Sequence, residues 1–300
     1  MPQATPAERS AFGRQVRAAV PRSRHGEWQP GADRGDPLEI LALQATTRLP
    51  DLVPIRYGRM AASAFAFFRG AAAVMAADLA REEQTGLDVQ LCGDAHLANF
   101  GGFASPERDM IFDVNDFDET IPGPFEWDLK RLAASFEIAA RSRGFDESVR
   151  RSIVTRSARS YRAAIREFAA MRTLDIWYAR MDGETIRARW GGQATRAMTD
   201  ALQHRVVKAE SKDHLAALAK LTTEQDGKLK FVSDPPLMVP AEEAFTDVYS
   251  YHNLNNLFGA LADYRGTLSG DRQRLLDKYE FTDLARKVVG VGSVGTRCWV

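Results

Sequence analysis

The stretch GDAHLANFGG at residues 93–102, followed at 113–118 by DVNDFD, constrains this chain more than any other part of it. It gathers Asp94, His96, Asn99 and Asp116 into one short segment. Residues 87–92 read as a strand that delivers Gly93 and Asp94 to a loop. Residues 99–103 and 110–114 then read as a hairpin around the turn at 104–109, which carries Asp116 back towards Asp94. Acidic residues on loops at strand ends are placed for chemistry rather than packing. These residue types suit magnesium and phosphate chemistry: Asp94 is able to take a proton from a hydroxyl, and Asn99 and Asp116 offer hard oxygen ligands to a divalent cation. A Gly-Asp pair after a strand is by itself only a turn. Asp, His two residues on and Asn five residues on, with a second acidic cluster one hairpin later, favour an active or metal site.

A second motif lies near the end of the chain. Gly290-Val291-Gly292-Ser293-Val294-Gly295 is a literal G-x-G-x-x-G. In a dinucleotide-binding loop this motif opens a helix whose N-terminus takes the pyrophosphate. Here the β-branched and aromatic run 296–300 follows, and 284–289 before it also reads as a strand. Strand, glycine loop, strand is the arrangement that covers ATP phosphates in protein kinases. An ordinary glycine-rich hairpin turn fits the same residues.

Composition narrows the class. Forty Lys and Arg balance forty Asp and Glu, so there is no basic footprint for nucleic acid. Cys92 and Cys298, the two cysteines, do not make a disulfide framework and fit a reducing, cytoplasmic compartment. Residues 1–20 lack the apolar core of a signal peptide. The most apolar stretch, 61–77, is Ala-rich and broken by Arg69, so it reads as a buried helix and not as a membrane span.

The remaining pattern is mostly helical. Helices are expected over 6–20, 37–47, 57–83, 127–142, 146–170, 193–209, 212–221 and 241–264. Residues 121–125 (IPGPF) read as a breaker, and 226–239 as a loop or short hairpin. Arg56, Arg59 and Arg69 lie on the long 57–83 stretch or at its edge. Arg suits bidentate phosphate contacts, although charges on a helix ordinarily form a solvated face. Arg69 differs because its neighbours are apolar, so its guanidinium needs a carboxylate or phosphate partner.

The pattern G-D-x-H-x-x-N, then a hairpin, then D-F-D with G-P and W-D-L beyond, resembles the catalytic core of aminoglycoside phosphotransferases and choline kinase-like enzymes. The resemblance implies that Asp94 is the catalytic aspartate, Asn99 the metal-binding asparagine and Asp116 the magnesium aspartate. Asp128, in Trp127-Asp128-Leu129, would be a structural aspartate bracing the catalytic loop. Cys92 stands where those enzymes have a first His. The loop between the motifs is longer, which leaves Asp113 as a competing metal ligand. More of the chain, in segments 21–28, 48–80, 91–103, 112–135 and 287–300, is similar to the bacterial family called domain of unknown function 2252. It departs from that family's pattern at Ala64 and Phe68.

Together these readings predict an α+β, protein kinase-like fold with a mostly helical large lobe and a short β-hairpin carrying the active-site loops. Residues 1–86 would be an N-terminal helical segment, 87–281 the catalytic lobe and 282–300 the start of a glycine-loop hairpin. In ordinary kinases the glycine loop comes first, so the small lobe would be permuted to the C-terminus. Val300 falls inside an expected strand, so the small lobe would be truncated and the chain a fragment. The expected function is ATP- and Mg²⁺-dependent phosphoryl transfer to a small-molecule hydroxyl, without a nucleic-acid or membrane partner. Asp94 and His96 would be catalytic, Asn99 and Asp116 metal ligands, and Gly290, Gly292, Ser293, Gly295 and Arg69 nucleotide-binding. Two alternatives are a metal-dependent phosphoesterase, which also begins G-D-x-H but needs G-D-x-x-D and G-N-H motifs absent here, and a non-catalytic nucleotide-binding regulator.

Overall fold

The structure, a computed structural model, describes residues 4–107, 109–193, 214–244 and 248–300. The fold is α+β, with helices joined by small antiparallel ladders. The chain divides into two compact units: Met1–Thr47 with Arg56–Glu210, and Arg48–Ile55 with Ser211–Val300. No helix among the described residues is long and apolar enough to cross a membrane.

The first unit opens with helices whose starts are written in the sequence. Thr5 and Glu8 form a reciprocal capping box ahead of α1 (Pro6–Ala19). Asp36 caps α2 (Pro37–Ala45), which also begins on a proline. The single helix expected over 57–83 is instead three: α3 (Val53–Ala61), α4 (Ala64–Gly70) and α5 (Ala72–Leu79). Ser63 takes an extended conformation and its hydroxyl accepts from the Ala66 amide, 3.0 Å away, so it starts a new helix in the middle of an Ala-rich run. Arg56 departs from both readings of a helical arginine. It is fully buried, and its Nη2 donates to Gln44 Oε1 (2.7 Å) and to the Gly70 carbonyl (2.7 Å), tying α2 and α3 to the end of α4. Gly70 is needed there because a Cβ would meet the Met60 side chain at 2.6 Å.

Next comes the framework of the motif region. β1 (Asp88–Leu91) pairs antiparallel with β4 (Ile121–Pro124), and β2 (Phe100–Ala104) with β3 (Met110–Val114). The hairpin falls within one residue of its expected bounds. The 121–125 breaker, however, is a strand. Its prolines alternate with Ile121 and Gly123, so a two-stranded ladder accommodates them as an edge. β4 runs directly into α6 (Phe125–Ser142), which packs on α4, α5, β1 and α7 (Glu147–Ala170). Two shorter helices follow, α8 (Thr173–Trp177) and α9 (Gly183–Trp190); between them, the Met181 carbonyl accepts from the Phe112 amide and extends the β3 side. The helix expected over 193–209 falls almost wholly outside the described residues.

The second unit contains α10 (His214–Leu221) and the hairpin of β5 (Thr222–Gln225) and β6 (Lys228–Phe231). Asp226 (φ 51°) and Gly227 (φ 73°) form its turn, the Asp-Gly pair that two positive φ angles favour. β7 (Met238–Pro240) pairs with β8 (Ala285–Lys287), and α11 (Ala241–Ala244), α12 (Val248–Thr267) and α13 (Gly270–Leu276) lie between them in sequence. The strands expected on both sides of the glycine motif contract to β8 and a bridge from Arg286 to Trp299, closed by paired Ala285–Val300 amide bonds of 3.0 Å.

Candidate functional site

Gly93 sets the geometry of the motif loop. Its φ is +88°, and a Cβ there would stand 2.1 Å from the Glu119 carbonyl oxygen. Only glycine lets the start of the Asp94 loop touch the backbone that follows Asp116. Thr120 reinforces this contact from the other side, its hydroxyl donating to the Leu91 carbonyl at 2.6 Å.

Asn99 joins the two loops. Its Nδ2 donates to the main-chain carbonyls of Asp94 (3.1 Å) and Asp116 (2.7 Å), and Asn99 is buried. The structure therefore brings Asp94, Asn99 and Asp116 together. The Asp116 carboxylate is exposed, with Oδ1 accepting from the Asp118 amide at 3.3 Å. Asp113 is also exposed, and its Oδ1 accepts from the Val114 amide. No group of three His, Cys, Asp or Glu side chains suited to a metal ion occurs among the described residues. An Asn–Asp pair is the available donor set.

One helix anchors the loop at successive points. On α6, Asp128 accepts from the amides of Cys92 (2.6 Å) and Gly93 (3.2 Å). Arg131, one turn on, donates through Nε to Asp94 Oδ1 at 2.6 Å, and through Nη2 to the Phe68 carbonyl at 2.9 Å. Ser135, another turn on and fully buried, accepts from the Leu97 amide at 2.9 Å. Glu126, at the start of the helix, holds the Thr85 amide and hydroxyl. Residues 128, 131 and 135 share a face by their spacing of three and four. Sequence reasoning found Asp128 and missed Arg131, Ser135 and Glu126. The available signal was that polar residues recur on one face of a helix set among apolar neighbours.

Several titratable groups surround Asp94. The Cys92 thiol is pushed up to about 11 by burial and by the carboxylates of Asp128, Asp94 and Asp116. Burial also raises Asp128 above the ordinary carboxylate range, against the pull of its two amide bonds. His96 is 5 % exposed, with Nε2 3.5 Å from Asp94 Oδ2 and its ring edge-on to Phe65 at 6.2 Å. Burial lowers the His96 pKa; Asp94 opposes that, and Arg69 and Arg131 add to it. The shift favours the neutral imidazole, with Nε2 facing the Asp94 carboxylate. His96 Nδ1 is buried without a hydrogen-bond partner among the described residues.

Arg69 lies one turn beyond Phe65 on α4, with its Nε buried and unpartnered among the described residues. The predicted glycine loop lies in the other unit. There the Val294 carbonyl accepts from Arg48 Nη1 (2.6 Å) and the Gly295 carbonyl from the Leu49 amide (2.8 Å). Gly290 (φ 54°) and Gly295 (φ 91°) take left-handed conformations, and Ser293 Oγ donates to the Val289 carbonyl. Gly292 falls within the same turn. The C-terminal half of the loop is thus tied to residues 48–49.

Residues 48–300 match a family described as an uncharacterised protein conserved in bacteria, DUF2252. The chain belongs to the DUF2252 family. The match takes in every residue of the motif loop, α6 and the glycine turn. No curated protein and no solved structure matches this DUF2252 chain.

Proposed function

We propose that this protein is an ATP- and Mg²⁺-dependent phosphotransferase with a protein kinase-like core, acting in the cytoplasm on the hydroxyl of a small molecule. One observation carries this reading. The Asn99 amide bonds the backbone of both Asp94 and Asp116, so a proton-accepting carboxylate and a cation-binding carboxylate hang from a single joint.

Asn99 and Asp116 suit Mg²⁺. With Nδ2 committed to two carbonyls, Oδ1 is the oxygen Asn99 offers, and the Asp116 carboxylate is exposed. Mg²⁺ takes one or two carboxylates and completes its shell with water and phosphate oxygens. Held by Asn99 and Asp116, the cation would supply charge neutralisation to the transferred phosphoryl group. Asp94 would orient the incoming hydroxyl and accept its proton as the γ-phosphoryl group leaves the nucleotide. Arg131 fixes the Asp94 carboxylate, His96 faces it through Nε2, and Asp128 holds the loop amides. Gly290, Gly292, Ser293 and Gly295 are the candidate phosphate-covering residues.

Titration calorimetry with ATP, with and without Mg²⁺, tests this. Wild type is expected to bind ATP in a Mg²⁺-dependent manner, and Asp116→Ala to lose most of that dependence. Asp94→Ala is expected to keep nucleotide binding and lower turnover by roughly 10²–10⁴. Absence of nucleotide binding by the wild-type protein under either condition would overturn the proposal.

A further inference from the structure

His96 faces Asp94, and the charges of Arg69 and Arg131 both bear on its ring. Arg131 is fully engaged: it holds Asp94 Oδ1 and the Phe68 carbonyl, and its guanidinium lies 4.3 Å from the Phe68 ring centroid. Asp94 and Arg131 pair with each other, and Arg69 adds a positive charge near the His96 ring.

Arg69 has no hydrogen-bond or carboxylate partner among the described residues, although its Nε is buried. A guanidinium in apolar surroundings requires an anion or several acceptors. Its place is fixed by α4: Phe65, four residues earlier on the same face, touches the His96 ring, and Phe68 lies under Arg131. His96 supplies a second orphan. Its side chain is 7 % exposed, Nε2 is turned to Asp94, and Nδ1 is buried without a hydrogen-bond partner among the described residues. An anionic oxygen answers Arg69; a hydroxyl answers His96.

We propose that Arg69 and His96 form an anion subsite beside Asp94 that takes the carboxylate or phosphate of a hydroxyl-bearing acceptor. This names the acceptor class for the phosphotransferase reading and rests on it for the word acceptor. The subsite itself stands on Arg69, His96 and Asp94 alone. Arg69 accordingly serves the acceptor and not the nucleotide, because it is grouped with His96, which faces Asp94, the carboxylate that would meet the incoming hydroxyl.

The test uses inorganic phosphate and glycolate as probes in titration calorimetry, alongside Mg²⁺-ATP, on wild type, Arg69→Ala and Arg69→Lys. At least one probe is expected to bind wild type, and Arg69→Ala to weaken it by roughly 10- to 100-fold, the value of a charge-assisted hydrogen bond. Arg69→Lys should recover part of the loss, and Mg²⁺-ATP affinity should be unchanged in both variants. The Arg69 side chain makes no hydrogen bond or ion pair among the described residues, so unchanged thermal unfolding of Arg69→Ala is also expected and keeps the comparison clean. The subsite is refuted if neither probe binds, if binding is indifferent to Arg69, or if Arg69→Ala weakens Mg²⁺-ATP as much as the probe. Arg69-dependent probe binding in a protein that binds no ATP would keep the subsite and remove the phosphotransferase reading.

Discussion

Arg131 and Asp94 meet through a fork on one oxygen, with Nε 2.6 Å and Nη2 2.5 Å from Asp94 Oδ1. Arg131 is buried and the Asp94 side chain is 18 % exposed, so the pair is largely dry. Removing one partner leaves the other charge uncompensated. Arg131→Met should therefore destabilise the protein by about 3–5 kcal/mol. Asp94→Asn combined with Arg131→Met should cost less than the sum of the two single changes. Urea unfolding of the three variants measures this, and simple additivity would show that the pair is not coupled.

Gly93 and Gly144 separate two kinds of glycine requirement. Both have positive φ, +88° and +75°. A Cβ on Gly144 meets nothing within 4 Å, whereas one on Gly93 meets the Glu119 carbonyl at 2.1 Å. Gly144→Ala should cost about 1–2 kcal/mol from backbone strain alone. Gly93→Ala should cost about 1–3 kcal/mol more and displace the Asp94 loop. Thermal unfolding of both variants gives the difference; equal losses would mean that the loops part freely.

His96 should make folding stability pH-dependent. Its folded pKa lies below the ordinary 6.5, so between the two values the unfolded chain binds more protons than the folded one. Stability is then fully present above about pH 6.5 and falls as the pH drops through the folded pKa. In His96→Asn that part of the slope should disappear. Denaturant titrations at stepped pH values between 5 and 8 compare the two proteins, and parallel curves would exclude the effect.

Cys92 should be inert near neutral pH. With its thiol pushed up to about 11, almost no thiolate is present at pH 8, and the thiolate is the form that reacts. Iodoacetamide at pH 8 should leave Cys92 unmodified in the folded protein and label it readily in denaturant. Mass spectrometry of the Cys92 peptide reads the outcome; rapid labelling in the folded state would contradict the three-carboxylate environment.

Much of the motif region was legible because it is local. The β2–β3 hairpin and the Asp146-capped helix α7 are written in alternation, turn residues and caps. Asp128 was legible by resemblance alone. Arg131 and Ser135 were not, because their partners, Asp94 and Leu97, lie more than thirty residues away and nothing local marks a buried arginine as an anchor. The 57–83 stretch misled for the opposite reason. Helix propensity is high throughout, and the breaks at Ser63 and Ala71 come from a cap and from the packing of Gly70 on Met60. Prolines in β4 hid a strand whose pairing is decided by its partner β1.

Asn99 has a consequence for how this family can vary. One side-chain amide sets the gap between two loops that are otherwise separate stretches of backbone, and the same side chain is the candidate cation ligand. Changing it to Asp would keep an oxygen for the cation but turn two donors into a repulsion against two carbonyls. Changing it to a shorter or apolar residue would lose both. Tuning the chemistry and keeping the frame cannot be done independently at position 99, so new specificity has to be found elsewhere, on positions such as 69 that the frame does not use.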